Sequence, residues 1–274
     1  MSVEAPYPEL SELLTLIGEA GRRLSEIQAT EGAAGNISVY LGWPVDPRRI
    51  FPLCETISLP IAVPELAGRT FLVSGSGRRL REIVHDPAAN LGCVVVDEGG
   101  KTARFFTSPR RLFTRPTSEF NSHLAVHHDQ ITRSGTNFHA LIHAQPPYLT
   151  FLSHIPRYRD ETYLNRHLLR WQPETIVHLP EGLGIVPFLL PGSAELMAAT
   201  VASLRQHRIV IWAKHGVMAR SDQSVKRAAD RIEYAETAAR YEYFNLRNGE
   251  PADGLSREEI LAICAAFGVE QTVF

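Results

Sequence analysis

The chain has 274 residues, of which 44% are apolar and 21% charged, enough to bury a sizeable core and too apolar for a disordered protein. Its 28 basic and 30 acidic side chains leave a formal charge of -2, so it offers no net positive field to a polyanion such as nucleic acid. No apolar run approaches the ~18 residues of a membrane span, and the opening MSVEAPYPEL lacks the basic-then-apolar pattern of a signal peptide. A cytoplasmic protein with neither membrane nor nucleic acid as partner is expected. Cys54, Cys93 and Cys264 are odd in number and far apart, which suits neither a disulfide framework nor a zinc cluster; they read as small buried thiols. Lysine occurs only at 101, 214 and 226, which limits Schiff-base chemistry.

Beyond two prolines, Leu10, Leu13, Leu14, Ile17, Leu24 and Ile27 recur at helical spacing and predict an amphipathic helix over residues 8 to about 30. GNISVYL from Gly35 alternates as a strand does, and Pro44, Pro47, Pro52, Pro60 and Pro64 then predict a long, proline-stiffened surface loop. TFLVS at 70–74 is a buried strand ended by Gly75-Ser76-Gly77, and the runs at 92–97 and 103–107 bracket Gly99-Gly100 as a hairpin. A helix is signalled from Thr117, with Thr117 and Ser118 as its cap and Phe120, Leu124 and Ile131 on one face. Residues 138–144 read as a strand ending in His143, followed by a helix opened by Pro146 and Pro147. The remainder predicts a helix at 161–171, a strand at 175–179, a helix at 193–207 and a strand at 209–213. The longest helix follows at 222–246, and the last at 256–267 is opened by a Ser256/Glu259 capping box. Interleaved elements with hairpins point to a mixed sheet covered by helices. Neither a repeat nor a linker divides the chain, so one domain over 1–274 is expected.

His143 and His215 each close a short apolar strand before a chain reversal, a rigid base of the kind a metal site requires. Gln145 stands two residues after His143 and, if the strand continues, faces the same way, its amide oxygen available as a third contact. Glu119 falls in the first turn of its helix, as a capping acid or as a carboxylate able to take a proton from a substrate hydroxyl. Thr117 and Ser118 at that helix start, and Ser74-Gly75-Ser76-Gly77, are two anion-binding candidates. Neither is a Walker loop, and no GxGxxG is present. His123, His127 and His128 on the same helix read as an exposed polar face, and His85, His139, His154, His167, His178 and His207 show no partner pattern. Tyr234, Tyr241, Tyr243 and Phe244 read as packing or as a subunit contact.

In this order, GNIS (35–38), FLVSGSG (71–77), HDPAANLGCVVVD (85–97), RPTSEF (115–120), ALIHAQ (140–145), LPEGLGIVPFLLPG (179–192), IVIWAKHGV (209–217) and the terminal LSREEILAICAAFGV (255–269) closely resemble the class II aldolase/adducin superfamily, and within it the rhamnulose-1-phosphate aldolases. The resemblance covers nearly the whole chain. It implies a three-layer α/β/α fold with a central mostly antiparallel sheet, assembled as a homotetramer with sites near subunit interfaces. The activity it implies belongs to carbohydrate (rhamnose) metabolism: reversible cleavage of a ketose 1-phosphate to dihydroxyacetone phosphate and an aldehyde, here L-lactaldehyde. The same resemblance implies that Asn36, Ser76, Thr117 and Ser118 hold the substrate phosphate, that Glu119 is the general acid/base with Glu174 as a second acid, and that His143, Gln145 and His215 hold zinc (Zn2+) or another divalent ion such as Mn2+ or Co2+. The family's metal motif is His-x-His, and Gln145 departs from it. An amide oxygen is a harder, weaker donor than imidazole, so manganese or magnesium becomes more competitive. The alternatives are a sugar-phosphate epimerase of the same superfamily and a non-catalytic adducin-like module.

Overall fold

The stripe of Leu10, Leu13, Leu14, Ile17 and Leu24 forms α1 (Leu10–Glu26) and is buried along its length. Each of those larger side chains contributes roughly 1.5–3 kcal/mol by leaving water. The structure is a computed structural model that describes residues 3–274. After α1 come β1 (Asn36–Leu41), β2 (Leu53–Ser58), β3 (Thr70–Ser74), the short α2 (Leu80–Ile83) and α3 (Pro87–Asn90), β4 (Leu91–Val96), β5 (Thr102–Thr107), α4 (Phe120–Ser134), β6 (Phe138–Ala144) and α5 (Pro147–Leu152). The rest is α6 (Glu161–Leu168), α7 (Pro173–His178), β7 (Gly184–Val186), α8 (Ala194–Leu204), β8 (Ile209–Trp212), β9 (Gly216–Ser221), α9 (Val225–Arg247) and α10 (Arg257–Phe267). Among the described residues no helix is long and apolar enough to cross a membrane.

The strands form one nine-stranded sheet in the order β2-β5-β4-β3-β1-β6-β9-β8-β7. Among the described strands only β7 and β8 run parallel. Alternation divides each central strand between two faces. Ile37, Val39, Leu41, Ala140, Ile142 and Ala144 face α1 and α9 in the larger core. On the other face, Tyr40 and Phe71 pack with Phe120 and Leu124 of α4, while Leu141 and Trp212 pack with Leu196 and Leu204 of α8. The expected helix-covered, mostly antiparallel sheet is present, as is the Ser256/Glu259 capping box.

Several local expectations are corrected. The proline-rich stretch is not loop throughout: LCETIS lies between Pro52 and Pro60 and pairs with β5 as the sheet's edge strand, its side chains largely exposed. An edge strand with little buried surface carries no apolar pattern to betray it. Residues 175–179, expected as a strand from their β-branched run, lie largely in α7, where Pro173 begins the helix and Thr175 bonds back to Leu169 and Gln172. The strands β7 and β9 were not expected. Cys54 is exposed on β2, whereas Cys93 and Cys264 are buried and burial pushes the Cys93 thiol up to about 12.

Candidate metal centre and active site

Asn36, at the start of β1, pairs with His143 near the end of β6, so the two side chains emerge together on the face covered by α4. On the far side of β6 runs β9, joined to β8 by the turn Ala213-Lys214-His215, with Trp212 opposite Gly216. That turn sets the His215 ring 4.9 Å from the His143 ring, and Trp212 stacks on His143 at 4.7 Å. Trp212 is itself fixed by a 2.9 Å hydrogen bond from its indole N–H to Thr200. Lys214 holds a left-handed φ of 65°, a conformation rare outside glycine, and its N–H donates to Ser153 Oγ at 2.7 Å.

Glu119 comes from the opposite layer. The helix begins at Phe120, later than expected, so Thr117 and Ser118 lie in the turn before it and Glu119 is the flanking residue. Its side chain makes no capping bond and enters the site instead. Oε2 accepts a 2.8 Å hydrogen bond from Asn36 Nδ2 and lies 3.6 Å from His143 Nε2, while Oε1 lies 3.7 Å from His215 Nε2. Burial alone would raise this carboxyl; His143, the Asn36 amide, His123 and His215 outweigh it and hold it below its ordinary range. Burial and the neighbouring His143 depress His215, which keeps its imidazole neutral.

The donor set fits a divalent ion. One ligand atom from each of Glu119, His143 and His215 lies within 4.8 Å of the others. Atoms that share a tetrahedral ion at about 2 Å stand about 3.3 Å apart, close to the 3.6 and 3.7 Å that separate the Glu119 oxygens from the two imidazoles. His143 donates Nδ1–H to Val217 O at 2.8 Å, which leaves Nε2, facing Glu119, as the ring nitrogen available to a metal. His215 Nδ1 is buried without a partner. Sequence reasoning placed Glu119 as acid/base only; the geometry also makes it a ligand candidate. Gln145 lies one residue past β6, its N–H donating to Ala29 O at 2.7 Å. Its Cγ and His143 Cε1 lie 3.0 and 3.1 Å from the position a Cβ on Gly216 would take, so its side chain borders the same corner of the site.

The two anion-binding candidates meet. Ser76 N–H donates to Arg115 O and Thr117 N–H to Ser74 O, both at 3.0 Å, zipping the two loops together. Those N–H groups are therefore used internally; the hydroxyls of Ser76, Thr117 and Ser118 remain as anion donors. The space beside Gly75 is filled by the Phe113 ring, so that glycine serves packing and not the approach of an anion. The Asn36 amide is likewise engaged, by Glu119 and by His123, leaving its second N–H for a substrate. A groove of about 650 Å³ opens beside Thr117 and Ser118, bordered by Arg115, Asn121 and Gly192. Asn121, unremarked in the sequence, donates to Gly192 O at 2.9 Å and draws the 187–192 loop over the start of α4. Glu174 does not join this group: it is exposed at the start of α7, and its charge acts on His178 and Tyr234.

The reading of α4's histidines as an exposed face holds only for His128, which pairs with Glu65; His123 and His127 are fully buried and hydrogen-bonded. His139 also has a partner, His127, and His207 pairs with Glu161. Burial drives His123 and His139 down to about 3 and His127 well below its usual value of 6.5. Below pH 6.5 each ring is neutral when folded and gains a proton on unfolding. Stability is therefore lost as pH falls from 6.5 towards 3, by roughly 1 kcal/mol per pH unit for each ring. Urea midpoints of metal-free protein should drop steadily on acidification through this window; a flat profile would contradict the burial of neutral rings.

A second expectation concerns Gly216. A Cβ there would lie 2.4 Å from Ala144 O, a backbone atom that cannot step aside without parting β6 from β9 next to both histidines. Gly216→Ala should lower zinc affinity by about 10-fold or more as well as thermal stability. Calorimetric titration with zinc checks this, and wild-type affinity in the variant would refute it.

A carboxylate and two imidazoles converge here beside hydroxyl-bearing loops, a donor set of the type that binds a divalent ion. Residues 15–243 match the model of the class II aldolase and adducin N-terminal domain, and the chain belongs to that family. It is 31% identical over 265 residues to the rhamnulose-1-phosphate aldolase of Bacteroides thetaiotaomicron, covering 96% of each chain. With that of Escherichia coli it shares 32% identity over 213 residues, covering 78% of this chain and 77% of the relative. The crystal structure of a sugar-phosphate aldolase from Thermotoga maritima superposes with a TM-score of 0.72 at 27% identity, over 89% of this chain and 98% of that one.

Proposed function

We propose that this chain is a metal-dependent lyase that cleaves L-rhamnulose 1-phosphate to dihydroxyacetone phosphate and L-lactaldehyde. The observation that carries the reading is the convergence of Glu119, His143 and His215 beside the joined loops of Ser76, Thr117 and Ser118. Similarity to rhamnulose-1-phosphate aldolases over nearly the full chain supports the choice of sugar.

His143, His215 and Glu119, with Gln145 beside them, would hold a divalent ion, which when bound would supply Lewis-acid stabilisation of the negative charge that develops at a ketone oxygen. The hydroxyls of Ser76, Thr117 and Ser118 bind the phosphate and fix the ketone end away from the bond that breaks. Glu119, ionised and held by Asn36, takes the proton of the hydroxyl beyond that bond. As the bond opens, this carbon becomes the aldehyde and the electron pair passes to the carbon next to the ketone, where a proton is then returned. Glu174, remote from these groups in its own chain, acts as the second acid from a neighbouring subunit of a homotetramer.

Product analysis tests the reading. With zinc, manganese or cobalt supplied, L-rhamnulose 1-phosphate should yield dihydroxyacetone phosphate and aldehyde in equal amounts. Conversion to an isomeric sugar phosphate without free aldehyde would assign an epimerase, and no turnover of any ketose 1-phosphate would leave an adducin-like module.

A further inference from the structure

Glu119 is the end of a buried chain of hydrogen bonds that the chemistry above does not use. Its Oε2 meets Asn36 Nδ2; Asn36 Oδ1 meets His123 Nε2; His123 Nδ1 meets Ser38 Oγ at 2.6 Å; Ser38 Oγ meets His127 Nε2 at 2.7 Å; and His127 Nδ1 meets His139 Nδ1 at 2.8 Å. All six groups are buried, and the chain stops at His139 Nε2, which has no partner among the described residues. The placement follows from periodicity: Asn36 and Ser38 are two apart on β1, His123 and His127 four apart on α4, and His139 and His143 share one face of β6.

We propose that Ser38, His123, His127 and His139 are positioning residues that hold the Asn36 amide in the one orientation that donates to Glu119, a role that rests on the aldolase reading for its effect on turnover. The direction of every bond follows from the carboxylate. An ionised carboxylate only accepts, so Asn36 presents its N–H and its oxygen turns to His123. That oxygen requires Nε2–H on His123, whose Nδ1 then accepts from the Ser38 hydroxyl. With its single proton spent, Ser38 accepts from Nε2–H of His127. His127 Nδ1 is thus an acceptor, and His139 must carry its proton on Nδ1, leaving Nε2 bare. The unpartnered atom at the far end is an acceptor, as this wiring requires.

Burial keeps the rings neutral, so each offers one donor and one acceptor. Reversing the Asn36 amide would set its carbonyl against the carboxylate and force every proton in the chain to move. The amide also interrupts any passage of protons, so the chain orients Glu119 without carrying charge to it.

Two measurements test this on the full-length protein. In metal-free wild type at neutral pH, 15N-histidine NMR should show His123 and His127 as Nε2–H tautomers and His139 as Nδ1–H. An opposite tautomer or an imidazolium at any of the three would overturn the wiring, and this readout needs no turnover. For the role, Ser38→Ala should lower kcat on L-rhamnulose 1-phosphate by about 10-fold, with KM and zinc content changed by less than about twofold, and Ser38→Thr should restore most of the loss. Wild-type kcat in folded, zinc-loaded Ser38→Ala, or a loss that Thr does not restore, would overturn the role. If Ser38→Ala does not fold, the wild-type tautomers decide. A wild type inactive on every ketose 1-phosphate defeats the aldolase reading separately, with the tautomers still deciding the wiring.

Discussion

Glu119→Gln is expected to lower kcat for cleavage by roughly 10²–10⁴-fold, the range a positioned general acid/base contributes. The substitution keeps the side chain's size and still offers Asn36 an oxygen, so the fold and the Asn36 contact survive. What is lost is the proton acceptor and the negative charge between His143 and His215. Part of any loss could come from weaker metal binding, so kcat is to be measured at saturating zinc, where occupancy no longer limits it. The deficit should persist there and fall on kcat more than on KM, because the phosphate contacts are untouched. A zinc-saturated variant within a few-fold of wild type would remove Glu119 from the chemistry.

His143→Ala has the second large effect. The ring is buried, stacked on Trp212, met edge-on by His215, and tied to Val217 O. Its removal takes away one of three converging donors. Changes to outer-shell partners of metal ligands already cost ~10- to 100-fold in affinity or activity, so losing a ligand should cost at least that. Free imidazole offers a check that separates lost ligation from misfolding: the vacated space matches the missing ring, so added imidazole should restore part of the zinc binding. Unchanged zinc affinity in the variant would show that His143 is not a ligand.

Much of the fold could be read from the sequence because its central strands are buried on both faces and appear as unbroken apolar runs, such as LGCVVV and IVIW. What escaped lacked that signature. LCETIS is an edge strand held by backbone pairing to β5, and α7 was hidden by the β-branched Thr175-Ile176-Val177. The metal centre was half visible. His143 and His215 were marked by their strand ends, but the convergence of Glu119 on them depends on α4 crossing the sheet, which no spacing encodes. The buried histidines were misjudged because polar residues on a helix usually face water. The signal that could have found them is on the partner strands: Asn36 and Ser38, like His139 and His143, interrupt otherwise apolar strands at even spacing, so one face of each is polar and needs polar company.

Glu119, His143 and His215 are expected to make a working metal centre with Gln145, rather than a second histidine, beside His143. Metal content per chain, measured by mass spectrometry on tag-free protein, tests it most directly when wild type is compared with His215→Ala. One divalent ion per wild-type chain, lost in the variant, is the expected result; a wild type that is empty and takes up neither zinc, manganese nor cobalt would contradict it.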